Sequence, residues 1–239
     1  MSNPCDYRVL VTGGAVRVGR DICRALNKAG AQVVIHYRNS EAAAKELAAE
    51  LETIAVQGDL SLAADRERIF REAGTVNGLV NNASDFHPCG ILDEPEAALR
   101  ARLEVNLIAP LEMMKLFRAQ LHGAPGVVVN LLDQEVLHPS RSYGGYSLAK
   151  KGLRDATLAA ALQYAHENLR VNGLAPGPVY PPPGLEHSRM EKTLKTVPLG
   201  RPVAPEDLAA GCVFLIGNSS VTGQVLCIDC GQSLGAERK

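Results

Sequence analysis

Apolar positions along the chain gather into seven short, nearly continuous runs: Arg8–Val11, Gln32–His36, Ile54–Gln57, Gly78–Asn81, Gly126–Leu131, Leu169–Leu174 and Gln224–Ile228. Between them the spacing changes to that of amphipathic helices, at about Gly19–Ala29, Glu41–Leu51, Ala63–Ala73, Glu96–Leu121, Tyr146–His166 and Pro205–Ile216. Continuous apolar runs indicate strands covered on both faces, and their regular alternation with helices requires crossovers that set the strands parallel. The pattern therefore predicts an α/β fold, a doubly wound parallel seven-stranded sheet with helices on both faces. One region breaks the rhythm. Residues 175–197 contain Pro176, Pro178, Pro181, Pro182 and Pro183, which exclude regular structure and predict a loop with a short helix, a wall or lid over a substrate.

Composition adds limits rather than a function. With 239 residues and 46% of them apolar, the chain is long enough for one well-filled core, so 1–239 is expected to be a single domain. A formal net charge of −1 predicts no nucleic-acid or anionic-membrane partner. No apolar run approaches a membrane span, and Met1-Ser2-Asn3-Pro4 is too polar for a signal peptide, so a cytoplasmic location is expected. The six cysteines fall mostly in apolar segments, as reduced core thiols do. Cys227 and Cys230 form a C-x-x-C pair, but it lies at a strand end and has no second pair to complete a zinc site; no metal is expected.

Ligands of such sheets bind at the carboxyl ends of the strands, so the residues after each strand are best read as a set. After the first comes Thr12-Gly13-Gly14-Ala15-Val16-Arg17-Val18-Gly19-Arg20. A strand that stops at glycines and hands over to a helix aims backbone N–H groups and the helix dipole at one spot, which suits a pyrophosphate. The middle glycine of the usual dinucleotide fingerprint is here Arg17. After the second strand, His36-Tyr37-Arg38-Asn39-Ser40 lacks the acid that binds a ribose 2′-hydroxyl about 20 residues beyond the glycines. Arg38 and Ser40, with Arg17 nearby, suit a 2′-phosphate instead and favour NADPH. The alternative is that Ser40 caps the next helix and Arg38 is solvated. Asp59, in Gly58-Asp59-Leu60, suits either an adenine amino group or a helix cap. Beyond the fourth strand, Asn81-Asn82-Ala83-Ser84-Asp85-Phe86 lets a cofactor approach the backbone, and Phe86 either stacks on a flat heteroaromatic substrate or packs against its own loop.

The fifth strand ends in Asn130-Leu131-Leu132-Asp133, and Tyr146-Ser147-Leu148-Ala149-Lys150 opens the long helix that follows. A spacing of four puts Tyr146 and Lys150 on one helix face, where the ammonium is expected to lower the tyrosine pKa. Asp133 suits reduction of a C=N bond, because hydride on carbon requires a proton on nitrogen and a carboxyl group of raised pKa donates one better than a serine hydroxyl. Otherwise Asp133 only organises the loop to Ser142.

From about Arg8 to Leu234 the chain resembles the short-chain dehydrogenase/reductase family. The resemblance rests on Thr12-Gly13 with Gly19, Asn81-Asn82-Ala83, Asn106, Tyr146-x-x-x-Lys150, Pro176-Gly177 and the tail Val221-Thr222-Gly223-Gln224 to Asp229-Cys230-Gly231-Gln232. It implies a Rossmann-type sheet, a nicotinamide cofactor, and Tyr146 as proton donor. Lys150 would hold the nicotinamide ribose and tune Tyr146, and Asn106 would support a water relay to Lys150. The family implies cofactor contacts over Gly13, Arg17, Val18 and Gly19, over His36, Tyr37, Arg38, Asn39 and Ser40, at Asp59 and Leu60, at Asn82, Ala83 and Ser84, and at Pro176, Gly177 and Val179. Asp133 replaces the usual serine thirteen residues before the catalytic tyrosine. With Arg17, His36-Tyr37, Asn82-Ala83-Ser84 and Phe86, that departure resembles the pteridine reductases. There a pterin would lie between Phe86 and the nicotinamide, Arg17 would touch both pyrophosphate and pterin, and Ser84 would bond a ring polar atom. The expected activity is NADPH-dependent reduction of a dihydropteridine or dihydrofolate. The rivals are a carbonyl or alcohol oxidoreductase acting on a sugar, steroid or acyl thioester, and a non-catalytic nucleotide-binding regulator. The family also implies a homotetramer built on the two long helices and on the last helix and strand.

Overall fold

The computed structural model describes residues 4–140, 143–181 and 187–235, with the backbone alone for 187–189; Met1–Asn3 of the polar start, positions 141–142 of the loop after the fifth strand, and Pro182 and Pro183 lie outside the described residues. Seven strands, β1 (Arg8–Val11), β2 (Gln32–Tyr37), β3 (Ile54–Gln57), β4 (Gly78–Asn81), β5 (Gly126–Leu131), β6 (Leu169–Pro176) and β7 (Val225–Ile228), pair in parallel in the order β3-β2-β1-β4-β5-β6-β7. The strand order reverses between β1 and β4, which opens a crevice at their carboxyl ends.

Helices α1 (Arg17–Lys28), α2 (Glu41–Glu50) and α8 (Pro205–Gly217) cover one face, with Ile22, Leu26, Leu47, Leu208 and Leu215 packed on Val9, Val11, Ile35 and Val129. The other face carries α3 (Ala63–Ala73), α5 (Ala109–Leu121) and α6 (Gly144–Tyr164), with Ile69, Met113, Phe117 and Ala161 on Leu10, Leu79 and Val128. Each of β4 and β5 is buried along its whole length, as their unbroken apolar sequences require. The short helix expected in the proline-rich region is α7 (His187–Leu194).

The stretch Glu96–Leu121, read from its spacing as one helix, is two. Helix α4 (Glu96–Leu103) passes through a π-helical turn at Glu104–Ile108 before α5 begins. Pro110 has no N–H to donate to the Asn106 carbonyl one turn back. The Asn106 side chain meanwhile donates to the Arg102 carbonyl at 3.0 Å, and the helix widens around both.

A buried polar chain then fixes α6 to the sheet. Asn81 Nδ2 donates to Asn130 Oδ1 at 2.8 Å, and Asn130 Nδ2 donates to Thr157 Oγ1 at 2.8 Å. All three side chains lie in the core, where a polar group without a partner is costly, so the register of β4, β5 and α6 is set as a unit.

Candidate active site

The turn after β1 is held from behind. Thr12 Oγ1 accepts from the N–H groups of Asn82 and Ala83 at 2.9 and 3.1 Å, while Asn82 Nδ2 donates to the carbonyls of Thr12 and Gly13. These bonds lock the two strand ends flanking the crevice together. A Cβ at Gly19 would lie 2.2 Å from the Gly13 carbonyl oxygen, so only glycine lets α1 start this close to the turn. Val16, at the cap position of α1, makes no side-chain capping bond. The cradle has the shape and the polarity that a dinucleotide diphosphate needs.

His36 lies behind this turn, and its ring corrects an expectation. It is buried, Nδ1 accepts from Gly13 N at 3.1 Å, and Nε2 donates to the Gly58 carbonyl at 3.1 Å. Both nitrogens are engaged within the protein, so the ring shapes the turn instead of facing a cofactor. Burial pushes its pKa down to about 4, which keeps it neutral.

Tyr37 is likewise packed into the core, and so is Leu60, whose side chains face the sheet interior. Arg38 and Asn39 are exposed at the crevice edge and Ser40 is half-buried. Ser40, at the cap position of α2, makes no side-chain capping bond. Asp59 is not a helix cap either. It accepts from the Ser61 N–H and hydroxyl at 2.9 and 2.8 Å, bonds that hold its carboxyl below the usual range.

At the other side of the crevice the structure brings Asp133, Tyr146 and Lys150 together. Tyr146 Oη donates to Asp133 Oδ2 at 3.0 Å, and Asp133 Oδ1 accepts from Glu135 N at 2.9 Å at the start of a short 3₁₀ turn, Gln134–Leu137. Asp133 thus organises its loop and engages the phenol at once. Burial pushes its pKa up to about 6, with the Glu135 carboxylate adding to the shift.

Lys150 is buried and donates to the Leu131 carbonyl at 2.6 Å; burial lowers its pKa to about 8. The expected lowering of the Tyr146 pKa by this ammonium is not found. Tyr146 is raised well above its ordinary value, by burial first and then by the Asp133 carboxylate it bonds. Lys150 Nζ sits 5.8 Å from the Tyr146 ring centre, its charge directed at a backbone carbonyl.

Asn106, from the π-helical turn, accepts from Ser84 Oγ at 2.7 Å and from Asp85 N at 3.2 Å, and donates to the Asp85 carbonyl at 2.8 Å. It holds the loop after β4, and the Ser84 hydroxyl proton is directed at it. Phe86 stacks on Tyr143, with ring centres 4.4 Å apart, and meets Tyr146 edge-on at 4.8 Å. Arg17, exposed at the start of α1, donates to the Pro181 carbonyl at 3.0 Å, which joins the cofactor turn to the proline-rich loop. Val18 and Val179 pack against the same core cluster, and Gly177 lies where a Cβ would come 2.7 Å from Asp229 Cα.

Four residues outside the expected set belong to this region: Tyr143, Glu135, Tyr180 and Asp21. Tyr143 precedes Tyr146 by one helical turn, a spacing that could have flagged it; Glu135 and Tyr180 are brought in by loops whose path no periodicity encodes, and Asp21, on α1, joins through the Tyr180 hydroxyl it accepts. Cys227 and Cys230 pack into different clusters on opposite faces of the sheet, so their spacing is incidental.

A crevice at the strand-order reversal, a glycine cradle and a buried Tyr-Lys pair beside a carboxyl group define an oxidoreductase built around a dinucleotide. Residues 14–233 match the family model described as enoyl-(acyl carrier protein) reductase. Pteridine reductase 1 of Leishmania tarentolae is 31% identical, covering 98% of each chain, and L-fucose dehydrogenase of Mus musculus is 32% identical over 97% of this chain and 90% of the other. Among solved structures, FolM alternative dihydrofolate reductase 1 from Brucella canis complexed with NADP superposes with a TM-score of 0.92 at 30% identity, covering 99% of this chain and 97% of the other. The FolM protein from Brucella suis in complex with NADP gives the same TM-score and identity, covering 98% of each chain. The chain belongs to the short-chain dehydrogenase/reductase family and is of its pteridine reductase-like kind.

Proposed function

We propose that this protein is an NADPH-dependent reductase of pterins, acting on a C=N bond of a dihydropteridine or dihydrofolate. The observation that carries the reading is the hydrogen bond from Tyr146 to Asp133, a carboxyl group with a pKa of about 6 at the mouth of a dinucleotide crevice. The names of the similar Leishmania and Brucella proteins, and the NADP in the latter structures, support it.

The cofactor, when bound, supplies hydride to the carbon of the C=N bond. Gly13, Val18, Gly19 and Arg17 hold its diphosphate, and Arg38, Asn39 and Ser40 hold the 2′-phosphate. Asp59 and the chain at Leu60 would meet the adenine, and Asn82, Ala83, Pro176, Gly177 and Val179 would line the cofactor's path toward the nicotinamide. Lys150 serves the nicotinamide ribose, while Asn106 supports the water relay behind it. Phe86 stacks on the pterin, and Ser84 and Arg17 bond its polar edge. Asp133 in its neutral form carries the proton to the ring nitrogen and is reloaded through Tyr146, so one hydride and one proton saturate the bond. The whole of 1–239 acts as one cytoplasmic domain, with 175–197 shaping the substrate pocket, and it assembles as a homotetramer.

The test is an assay of the purified protein with NADPH or NADH against dihydrobiopterin, dihydrofolate and a panel of ketones and ketosteroids. The expected result is NADPH-dependent turnover of the pterins, cut about a hundredfold or more in Asp133→Ala. Unchanged turnover in that variant removes Asp133 from the chemistry, and faster turnover with NADH overturns the reading of Arg38 and Ser40. Turnover of ketones alone makes the protein a carbonyl or alcohol oxidoreductase.

A further inference from the structure

Arg17 is where a dinucleotide turn normally has glycine, and its backbone shows the consequence. Its φ is +52°, in the left-handed region that long side chains rarely adopt. Such a conformation persists only where the surroundings hold it. Two residues from the proline-rich loop, more than 160 positions away in sequence, hold its side chain. Arg17 Nη2 donates to the Pro181 carbonyl at 3.0 Å, and the guanidinium carbon lies 5.3 Å from the centre of the Tyr180 ring, within range of a cation–π contact.

Tyr180 is itself tied down. Its hydroxyl donates to Asp21 Oδ2 at 2.7 Å, and Asp21 sits one turn beyond Arg17 on α1. Partial burial and the Asp21 carboxylate push the Tyr180 pKa up to about 12, so the hydroxyl remains a donor throughout the neutral range. The loop is therefore fastened to α1 at two points, and the side chain between them is that of Arg17.

We propose that Tyr180 is a positioning residue: anchored on Asp21, its ring and the carbonyl of Pro181 hold Arg17 over the glycine turn and so couple the substrate loop to the diphosphate end of the site. This rests on the reading of Arg17 as a contact to cofactor and substrate. Arg17 is a flexible side chain on a solvated helix end, and an unheld guanidinium would spread over many rotamers. Holding it in advance lowers the ordering cost of binding.

The experiment is a double-mutant cycle. NADPH dissociation constants by fluorescence titration, and KM and kcat for dihydrobiopterin, are measured for the wild type, Tyr180→Phe, Asp21→Ala, Arg17→Ala and Arg17→Ala/Tyr180→Phe. Tyr180→Phe keeps the ring and removes only the anchor, and Asp21→Ala removes the same anchor from the other side, so a folding defect in one leaves the other. Each should raise the NADPH dissociation constant or the pterin KM about threefold to tenfold, the worth of one hydrogen bond, with kcat at saturation unchanged. Arg17→Ala should do more, and the double variant should be no worse than Arg17→Ala alone. Independent, multiplying effects of the two substitutions overturn the proposal, as does a normal Tyr180→Phe beside an impaired Arg17→Ala. An unimpaired Arg17→Ala instead removes the reading of Arg17 beneath it, and the proposal falls with that reading.

Discussion

A carboxyl group that titrates near 6 beside a phenol far above its ordinary range sets the direction in which a proton can move here. Asp133 exchanges its proton near neutrality, and Tyr146 passes its own to Asp133 only as it takes up another, never standing as a phenolate. If neutral Asp133 is the donor, turnover depends on its protonated fraction. That fraction is high below pH 6 and falls about tenfold per pH unit above it. The pH profile of kcat with saturating NADPH and dihydrobiopterin should therefore be level on the acid side and decline through about pH 6, and Asp133→Asn should be both slow and flat. A wild-type profile level from pH 5 to 8 would exclude Asp133 as donor. The identities of Asp133, Tyr146 and Lys150 were legible in the sequence, because fixed spacing on a helix and a strand end carries directly into space. The direction of the Tyr146 shift was not. Spacing places an ammonium nearby but says nothing of the Leu131 carbonyl that accepts its hydrogen bond, nor of the burial that outweighs it. His36 misled for the same reason, since its position at a strand end was readable and its inward-turned ring was not.

At the scale of the element, the start of α6 decides whether Tyr146 points correctly. The loop before α4 docks directly on it: a Cβ at Gly145 would lie 2.1 Å from Glu94 Oε2 and 2.9 Å from Leu99 Cδ1. Glu94 cannot easily yield, because its side chain is only 1% exposed and is paired with the buried Arg102. Gly145→Ala is expected to cost about 1–3 kcal/mol of stability by overpacking. The displaced backbone adjoins Tyr146, so kcat should fall with it. Gly152→Ala is the comparison, since its Cβ meets only the end of the Leu107 side chain at 3.0 Å, which can move aside. Thermal unfolding and kcat of the two variants check this; a Gly145→Ala protein as stable and active as the wild type would show that the docking is loose. All seven strands were readable from their apolar runs, which are buried along their whole length in β4 and β5 and only in part at the edges, β3 and β7. The division of Glu96–Leu121 was not, because the periodicity continues through the π-helical turn while Pro110 and the Asn106 side chain rearrange the hydrogen bonds beneath it.

For the whole molecule, the strand order was not legible in the periodicity, since alternation states that strands are parallel and leaves their neighbours open; the family resemblance implied a Rossmann-type sheet. The surface carries information of its own. On the outer side of α6, Leu148 is 51% and Leu162 84% exposed, Ile108 ends the adjoining π-helical turn, and Phe214 is 51% exposed on α8. Single exposed apolar residues are ordinary. Here they occur on α6 and α8, two of the elements expected from the resemblance to carry an assembly, and a net charge of −1 offers little repulsion between copies. If α6 and α8 form the two contacts of a homotetramer, light scattering should give the mass of four 25.5 kDa chains, independent of concentration in the micromolar range. Leu162→Glu would place a charge in the first contact and should yield a smaller species, because an unpaired carboxylate in an apolar interface costs several kcal/mol. A monomeric mass for the wild type rejects the assembly outright. A tetramer indifferent to Leu162→Glu keeps the assembly and rejects α6 as its contact.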